Sequence, residues 1–509
     1  MSVLLSACGA LPTHVDRPFS AAQQPSADSP LVRIAHDSSP EPTLTGFRLM
    51  PDGFYSLDAR IQLIRRAHDS LDVQYYLIQG DRTGRLLMRN LRDAASRGVR
   101  VRLLVDDLYT AGSDPMFRDF AAFPNVEVRL FNPFCCARQS TAGKYLASLS
   151  DFRRLNHRMH NKLFIADGVV AVMGGRNIAD EYFARSAKDN FVDMDVFLVG
   201  PVVGQLARIF DVYWNSPQAY PVEVIVGGSA DRDEARRSFD HLVDDGEQMR
   251  SIALPPFDIL GYGPISDDLD SGRLGLVWGT ATAFADQPAK VMATSPEMAR
   301  AMSAEMNVMD RVMESKSEVV ISSPYFIPGS MGMQDFGDLR KRNIKVTILT
   351  NSLAANDVPL VHTGYARYRV ELLRTGVDIY ELSPTRIQHN DRFNLPGASL
   401  GRLHAKVAAI DQSTVYIGSV NLDPRSDSTN TELGLFARCP ELAREVIRVI
   451  NISKLQSSYR LRFAADGQSL EWLATDDRGE VVLSQEPEVT PFMRLQTMLL
   501  APFVPEQLL

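Results

Sequence analysis

The chain has 509 residues, of which 45% are apolar and 23% are charged, and its formal net charge is -8. This composition excludes a disordered or fibrous protein, and the length predicts more than one domain-sized core. The acidic net charge argues against a nonspecific nucleic-acid binder, because such proteins neutralise phosphates with an excess of Lys and Arg. No run of residues reaches the roughly 18 to 20 apolar positions of a membrane-spanning helix.

The N-terminus contains the tetrapeptide LSAC, which ends at Cys8 and matches a bacterial lipobox, the site at which a cysteine is lipidated. A secretory signal places a charged segment and about 7 to 15 apolar residues before this site, whereas only Met1 to Ala7 precede Cys8. Two explanations stay open: a signal encoded further upstream, or a chance match. Residues 9–45 are rich in Ser, Pro, Ala and Asp, so we expect residues 1–45 to form a flexible tail.

Strand-like segments recur in the same order in the two halves of the chain. Three pairs correspond, at 69–78 with 316–327, at 97–108 with 342–353, and at 125–133 with 376–384. The middle pair, RGVRVRLLVDDL and RNIKVTILTNSL, has an offset of 342 − 97 = 245. Helical stretches lie between these strands, at 83–96 and 361–374. Together they predict an α/β protein of two tandem α/β/α units related by pseudo-twofold symmetry.

These repeats divide the chain into a first unit at 46–221, a connection at 222–295, a second unit at 296–455 and a C-terminal part at 456–509. The connection is rich in Asp and Gly, so we expect little fixed structure there. The C-terminal part predicts strands with a turn at Asp466-Gly467, followed by an apolar helix. One face of that helix either docks on the body, as we expect, or lies among the headgroups of a bilayer. It carries Phe492, Leu495, Met498 and Leu499.

The chemistry-bearing motif is also duplicated, as RMHNKLFIADGVVAVMGGRNIAD at 158–180 and RLHAKVAAIDQSTVYIGSVNLDP at 402–424. One copy alone would be weak evidence, but two copies with the same internal spacing are a specific signal. The offset is 404 − 160 = 244 for every pair. The matched pairs are His160 and His404, Lys162 and Lys406, Asp167 and Asp411, Gly174 and Gly418, Gly175 and Ser419, and Asn177 and Asn421.

The residue types in this motif suit the transfer of a phosphoryl group. On a strand, the His and Lys of each copy would point to the same face, because they are two residues apart. Ammonium and amide groups can surround the oxygens of an anionic phosphodiester. Two histidines in different protonation states supply a nucleophile and a proton donor.

Carboxylates downstream of each motif are expected to complete its half of the site. Asp193 in the first half and Glu432 in the second could hold a histidine in the correct tautomer, with Asp195 as a rival to Asp193. Asp167 and Asp411 stand at the far end of apolar runs, so we assign them a structural role in organising the half-sites.

These motifs resemble those of the phospholipase D superfamily, whose signature is HxKxxxxD followed by GGxN or GSxN. Within it, the chain is similar to bacterial cardiolipin synthases of the C subtype, through DVQYY, RLFNPF, RMHNK, GGRNI, SSPYFIPG, VHTGYARYRVELL and GSVNLDPRS. The resemblance implies two phospholipase D-like domains with the active site at their interface. It also implies transfer of a phosphatidyl group, through a phosphohistidine, to phosphatidylglycerol without a cofactor.

By the same resemblance, His160 is the nucleophile and His404 the general acid and then base, although the reverse assignment stays open. Phosphoryl oxygens would be held by Lys162, Lys406, Asn177 and Asn421, and Ser419 would add a hydroxyl donor. The sequence has no metal-ligand spacing, so we expect no metal. Expected partners are phosphatidylglycerol, phosphatidylethanolamine as a candidate donor, and the membrane surface of the bacterial envelope, but no nucleic acid.

Alternatives remain within and outside this superfamily. Water in place of a lipid hydroxyl would make the protein a hydrolytic phospholipase D, or a nuclease if the substrate were DNA. A non-catalytic envelope protein that binds lipid is a third possibility, but two intact half-sites argue against it. The sequence does not decide whether a small accessory protein assists, or whether Cys8 carries a lipid anchor.

Overall fold

The computed structural model describes residues 11–12, 14–147, 151–244, 254–393, 395–476 and 479–500. Cys8 and its lipobox lie outside the described residues. Within these ranges no helix is both long and apolar enough to cross a membrane.

Twenty strands form the framework of the two halves. The first ten are β1 Thr45–Met50, β2 Ser70–Tyr75, β3 Arg100–Asp106, β4 Val126–Phe131, β5 Leu163–Ala166, β6 Val170–Gly174, β7 Asp189–Val192, β8 Asp195–Val199, β9 Ala219–Pro221 and β10 Val277–Ala285. The second ten are β11 Glu318–Ser322, β12 Lys345–Asn351, β13 Asp378–Leu382, β14 Leu400–Leu403, β15 Val407–Ile410, β16 Thr414–Gly418, β17 Leu433–Arg438, β18 Ser458–Phe463, β19 Leu470–Asp476 and β20 Gly479–Leu483.

Helices cover the faces of these strands. The first ten are α1 Pro30–Ser38, α2 Gly53–Arg66, α3 Arg82–Ser96, α4 Asp114–Phe120, α5 Thr141–Ala147, α6 Phe152–Leu155, α7 Pro201–Trp214, α8 Val222–Val226, α9 Arg232–Val243 and α10 Ile265–Ser271. The others are α11 Pro296–Arg300, α12 Ala304–Met313, α13 Gly329–Lys341, α14 Pro359–Ala366, α15 Arg369–Thr375, α16 Pro384–Gln388, α17 Pro424–Ser428, α18 Pro440–Gln456 and α19 Pro491–Leu500.

Eighteen of the strands form one continuous mixed sheet. The order from edge to edge is β9, β4, β3, β2, β5, β6, β8, β1, β10, β17, β16, β15, β11, β12, β13, β18, β19 and β20. In each half a parallel core (β2, β3, β4 or β11, β12, β13) adjoins an antiparallel hairpin. The strands of both cores match the repeated segments of the sequence. The two-unit α/β architecture predicted from the sequence is confirmed.

The two halves meet at β1 and β10, which pair antiparallel across the centre of the sheet. β1 also pairs with β8, and β10 pairs with β17, so the two central strands occupy equivalent positions. The expectation of little fixed structure at 222–295 is therefore wrong: this segment supplies the strand that joins the halves. The Asp- and Gly-rich stretches of this segment were misleading, because β10 itself contains Val, Trp, Thr and Phe residues that are typical of a strand.

The N-terminal segment is also more ordered than expected. Residues 14–45 are not a flexible tail, because α1 buries Leu31 and Ala35 in the core of the first half. The side chain of Ser29 caps α1 and donates a hydrogen bond to Asp167 at 2.6 Å. Earlier in the segment, Arg17 donates from Nε to the carbonyl of Ala219 at 2.9 Å.

Three large cores and two small clusters form among the described residues. One lies under the first half and another under the second, whereas the third packs side chains of both halves against each other. This shared core includes Leu163 from β5 and Val407 from β15, the strands that directly follow the two His-x-Lys segments. The helices α7 and α18 also contribute side chains to it. The two motifs are thus held within one continuous apolar body.

Candidate active site

The two His-x-Lys segments lie where the halves interlock. The backbone N–H of His160 donates to Thr431 O at 2.8 Å, and that of His404 donates to Val192 O at 2.8 Å. β14 leads into His404 and pairs in parallel with β7 of the first half. Each segment precedes its strand in extended form rather than lying on it, which differs from the expected position. Each histidine is consequently anchored to the opposite half.

The carboxylates cross between the halves in the same way. His160 Nδ1 lies 2.9 Å from Glu432 Oε2, and His404 Nδ1 lies 2.6 Å from Asp193 Oδ2. The expectation that each carboxylate completes its own half is therefore wrong. It failed because the sequence does not reveal how the halves meet. A carboxylate at Nδ1 fixes the tautomer of the ring and presents Nε2 as the reactive nitrogen.

Asp195, the rival to Asp193, has a different position. Its Oδ2 accepts from Ser56 Oγ at 2.6 Å and from Arg60 Nη2 at 2.9 Å, and all three residues are buried. This ion pair ties β8 to α2 and does not involve a motif histidine.

The residue beside each carboxylate differs between the halves. A Cβ atom at Gly175 would lie 2.1 Å from Asp193 Oδ1, so only glycine fits there. The corresponding Ser419 donates its hydroxyl to Glu432 and accepts from the N–H of Leu433 at 2.9 Å. The Ser419 hydroxyl therefore faces the carboxylate, whereas the sequence suggested that it would face a phosphoryl oxygen.

The two lysines are buried at equivalent points beside the histidines. Lys162 Nζ donates to His160 O at 2.6 Å, and Lys406 Nζ donates to His404 O at 2.6 Å. Burial lowers the pKa of Lys406 to about 8 despite Asp193 and Glu432, and it lowers the pKa of Lys162 well below its usual value. An anionic ligand would raise both pKa values again, since it stabilises the ammonium form.

Both histidines are held neutral near pH 7. Burial is the main cause that lowers the pKa of His160 and of His404 to about 4, and the buried lysines lower it further. The carboxylates Glu432 and Asp193 act in the opposite direction. The sequence predicted two different protonation states. The similar surroundings instead give the two rings similar pKa values. A bound substrate therefore has to raise the pKa of one histidine above that of the other.

The motif asparagines retain hydrogen-bonding capacity. Asn177 Nδ2 donates to the hydroxyl of Tyr182 at 2.9 Å. Oδ1 of Asn177 and Oδ1 of Asn421 are buried without a hydrogen-bond partner among the described residues. Buried polar atoms of this kind are rare unless a ligand or water satisfies them.

The motif aspartates lie at the far ends of the hairpins. Asp167 Oδ1 accepts from the backbone N–H of Asp69 and Ser70, at 2.8 and 3.0 Å. Asp411 Oδ1 accepts from those of Ser317 and Glu318, at 2.7 and 3.1 Å. Each aspartate thus ties the turn of its hairpin to the start of the neighbouring parallel strand.

Three aromatic residues flank the histidines and were missed by the sequence analysis: Tyr76, Tyr182, and Phe191, whose ring lies 4.9 Å from that of His404. The Tyr76 ring lies edge-on to His160 at 5.0 Å, and the Tyr182 ring lies edge-on to His404 at 5.1 Å. Lys162 Nζ is 5.3 Å from the centre of the Tyr76 ring. Tyr76 belongs to the repeated DVQYY segment, which was the available signal. Tyr182 lies outside the repeats.

A buried ion pair behind Glu432 was also missed. Asp286 Oδ2 accepts from the N–H of Glu432 at 3.0 Å and from Lys290 Nζ at 2.8 Å. Lys290 also donates to Ser426 O at 2.8 Å. Burial raises the pKa of Asp286 to about 7. Both residues lie in the segment that was expected to be unstructured, so neither was predicted to belong to the site.

Comparisons with known proteins find similar proteins over most of the chain. The family described as "Cardiolipin synthase, PLD-like domain" matches residues 60–214 and 308–452. Cardiolipin synthase C of Escherichia coli K12 is 40% identical over 455 residues, which cover 87% of this chain and 92% of that protein. A cardiolipin synthase of Staphylococcus aureus Mu50 is 25% identical over 401 residues, covering 78% of this chain and 65% of that protein.

Among solved structures, phosphatidylserine synthase of Haemophilus influenzae Rd KW20 matches with a TM-score of 0.55 at 14% identity. The match covers 94% of this chain and 100% of that chain. At this identity the likeness is one of fold, and it extends over both halves.

Proposed function

Since this chain belongs to the cardiolipin synthase family of phospholipase D-like proteins and is a phosphatidyltransferase of that superfamily, we propose that it makes cardiolipin. The phosphatidyl group would move from a donor phospholipid to the free hydroxyl of phosphatidylglycerol. The observation that carries this proposal is the pair of histidines, each held at Nδ1 by a carboxylate from the opposite half. One site with two oriented imidazoles suits a reaction in two displacements.

In the first displacement, His160 Nε2 attacks the donor phosphorus. A P–N bond forms, the P–O bond to the donor headgroup breaks, and His404 gives a proton to the leaving alkoxide. With a pKa of about 4, His404 carries no proton near pH 7 in the free protein. A bound phosphodiester would raise this pKa, because its negative charge stabilises the protonated imidazole.

In the second displacement, His404 removes the proton from the hydroxyl of phosphatidylglycerol. The resulting oxygen attacks phosphorus, a P–O bond forms, and the P–N bond to His160 breaks. Lys162 and Lys406 balance the charge on the phosphoryl oxygens in both transition states, and the amides of Asn177 and Asn421 donate hydrogen bonds there. Glu432 and Asp193 stabilise each imidazolium as it forms.

The chemistry can be tested by identifying the lipid products. Purified protein is incubated in mixed micelles with labelled phosphatidylglycerol, with and without phosphatidylethanolamine, beside a His160→Ala control. Cardiolipin with release of glycerol or ethanolamine is the expected result and identifies the donor. Phosphatidic acid alone would make the protein a hydrolase. The absence of any product that depends on His160 would refute the proposal.

A further inference from the structure

One face of α19 presents large apolar side chains to solvent. Phe492 is 73% exposed, Leu495 49%, Met498 66% and Leu499 56%. The expectation that this face docks on the body is therefore wrong for the described part of the chain. Four such side chains on one helix face form a contiguous apolar surface, and surfaces of that kind mark interaction sites.

This helix lies on the His404 side of the active site. α19 packs against α14, which begins two residues after Asp357. Asp357 accepts a hydrogen bond from the Tyr325 hydroxyl at 2.8 Å, and its charge raises the pKa of Lys406. Because α14 has 8 residues, it is only about 12 Å long. α19 therefore packs on the helix that follows Asp357, on the Lys406 side of the site.

Exposed apolar groups also stand closer to the two histidines. Val358, between Asp357 and α14, is 42% exposed. On the other side, Tyr109 is 46% exposed, and its ring is 5.3 Å from Tyr76, which contacts His160. Exposed apolar side chains thus occur beside each half of the site, next to Asp357 in one half and next to Tyr76 in the other.

Electrostatic attraction contributes little to this surface. Arg494 is the one basic residue of α19, and its guanidinium already donates to Gln485 Oε1 at 2.8 Å and to Glu486 O at 3.3 Å. Docking through this face would depend on apolar insertion and hardly on the charge of the partner.

We infer that the exposed face of α19, together with Val358 and Tyr109, inserts into the headgroup layer of a phospholipid bilayer. The occupant is a bilayer because these exposed apolar groups neighbour, through Asp357 and Tyr76, the site where a phospholipid has to reach His160 and His404. This inference rests on the proposed function for the nature of the substrate. Interfacial helices bury their apolar face about 5 to 10 Å deep in the headgroup layer.

The experiment compares the full-length protein with the variant Phe492→Ser/Leu495→Ser/Met498→Ser in flotation with neutral phosphatidylcholine vesicles at low and high salt. We expect the triple variant to bind about tenfold or more weakly, and wild-type binding to change little with salt. The matched control is Leu455→Ser, an equally exposed site (63%) on α18, which should bind like wild type. Circular dichroism checks that each variant is folded.

Two further arms separate this inference from the proposed chemistry. Turnover of long-chain lipids in vesicles should fall with vesicle binding, whereas turnover of monomeric short-chain phosphatidylglycerol and phosphatidylethanolamine should be retained. His160→Ala should lose turnover but keep vesicle binding, so binding can support docking even if no cardiolipin forms. Unchanged vesicle binding by the triple variant would overturn the inference. So would a wild-type dimer that the triple variant converts to monomer, since the face would then be covered by a second copy.

Discussion

The two half-sites share a frame but differ in what holds each carboxylate. In the second half, Glu432 is supported by the Ser419 hydroxyl and by the buried pair of Asp286 and Lys290. In the first half, the shorter Asp193 fills the space that a side chain at position 175 would need, and Arg176 donates to its backbone carbonyl. The two halves therefore share the positions of the imidazole and the lysine but differ in the groups behind them. This divergence allows two similar histidines to take unlike roles.

The largest expected effect comes from removing one imidazole or the other. His160→Ala should lower kcat with a natural donor by about 10⁴-fold or more, because no covalent intermediate can form. His404→Ala should be comparably slow with a natural donor. With a donor whose leaving group is p-nitrophenolate, which needs no proton, its first displacement should be much less impaired, and this is measured as a burst of p-nitrophenolate. An equal burst from both variants would show that the two histidines do not differ in role.

A smaller loss is expected from neutralising the carboxylates. Glu432→Gln and Asp193→Asn should each reduce kcat by about a hundredfold or more, since an amide stabilises no imidazolium at Nδ1. Glu432→Gln should hinder formation of the intermediate, and Asp193→Asn should hinder both proton transfers. Rapid-quench kinetics separates the two steps. Identical behaviour of the two variants would contradict the assigned roles.

The residues beside the two carboxylates can be compared by changing each of them to alanine. Gly175→Ala should reduce activity strongly, because its methyl group would displace the Asp193 carboxylate. Ser419→Ala should cost only about tenfold, since Glu432 loses one hydrogen bond and keeps its place. Both variants are compared by kcat and by melting temperature. An active Gly175→Ala enzyme would show that the position of Asp193 is less constrained than the structure indicates.

The smallest effect concerns pH. The pKa of Lys406 is lowered to about 8, so the ammonium loses its proton as pH rises through that value. Because the charged form binds the phosphodiester, kcat/KM should fall above about pH 8, and Lys406→Arg should move this fall to higher pH or abolish it. A profile that stays flat in wild type up to about pH 10 would contradict a role for the Lys406 charge.

Much of the frame could be predicted from the sequence because its signals are local and duplicated. The strands at β2 to β4 and β11 to β13, the paired motifs and the turn at Asp466-Gly467 all follow from periodicity and spacing. β10 was not predicted, because the Asp- and Gly-rich stretches beside it outweighed its own Val, Trp, Thr and Phe residues. Its position in the sheet could not be predicted, since its partners β1 and β17 lie about 150 to 230 residues away along the chain.

The same limit applies to the candidate site. The histidines and carboxylates of the site could be identified from the sequence. Their crossed pairing, His160 with Glu432 and His404 with Asp193, could not, because it depends on how the two halves pack. It also could not predict the similar pKa values of the two histidines, because burial is a property of the shared core. Asp286 and Lys290 could not be predicted either, because the residues around them have the composition of a loop.

The most direct test of the mechanism is to find the atom that carries the phosphatidyl group. Wild type and the two histidine variants are mixed with labelled donor without acceptor, denatured at alkaline pH where a phosphoramidate survives, and studied by peptide mass spectrometry. We predict a phosphatidyl adduct on His160 in wild type, and none in His160→Ala. An adduct on His404 would reverse the roles of the two halves, and the absence of any adduct from an active enzyme would contradict the covalent mechanism.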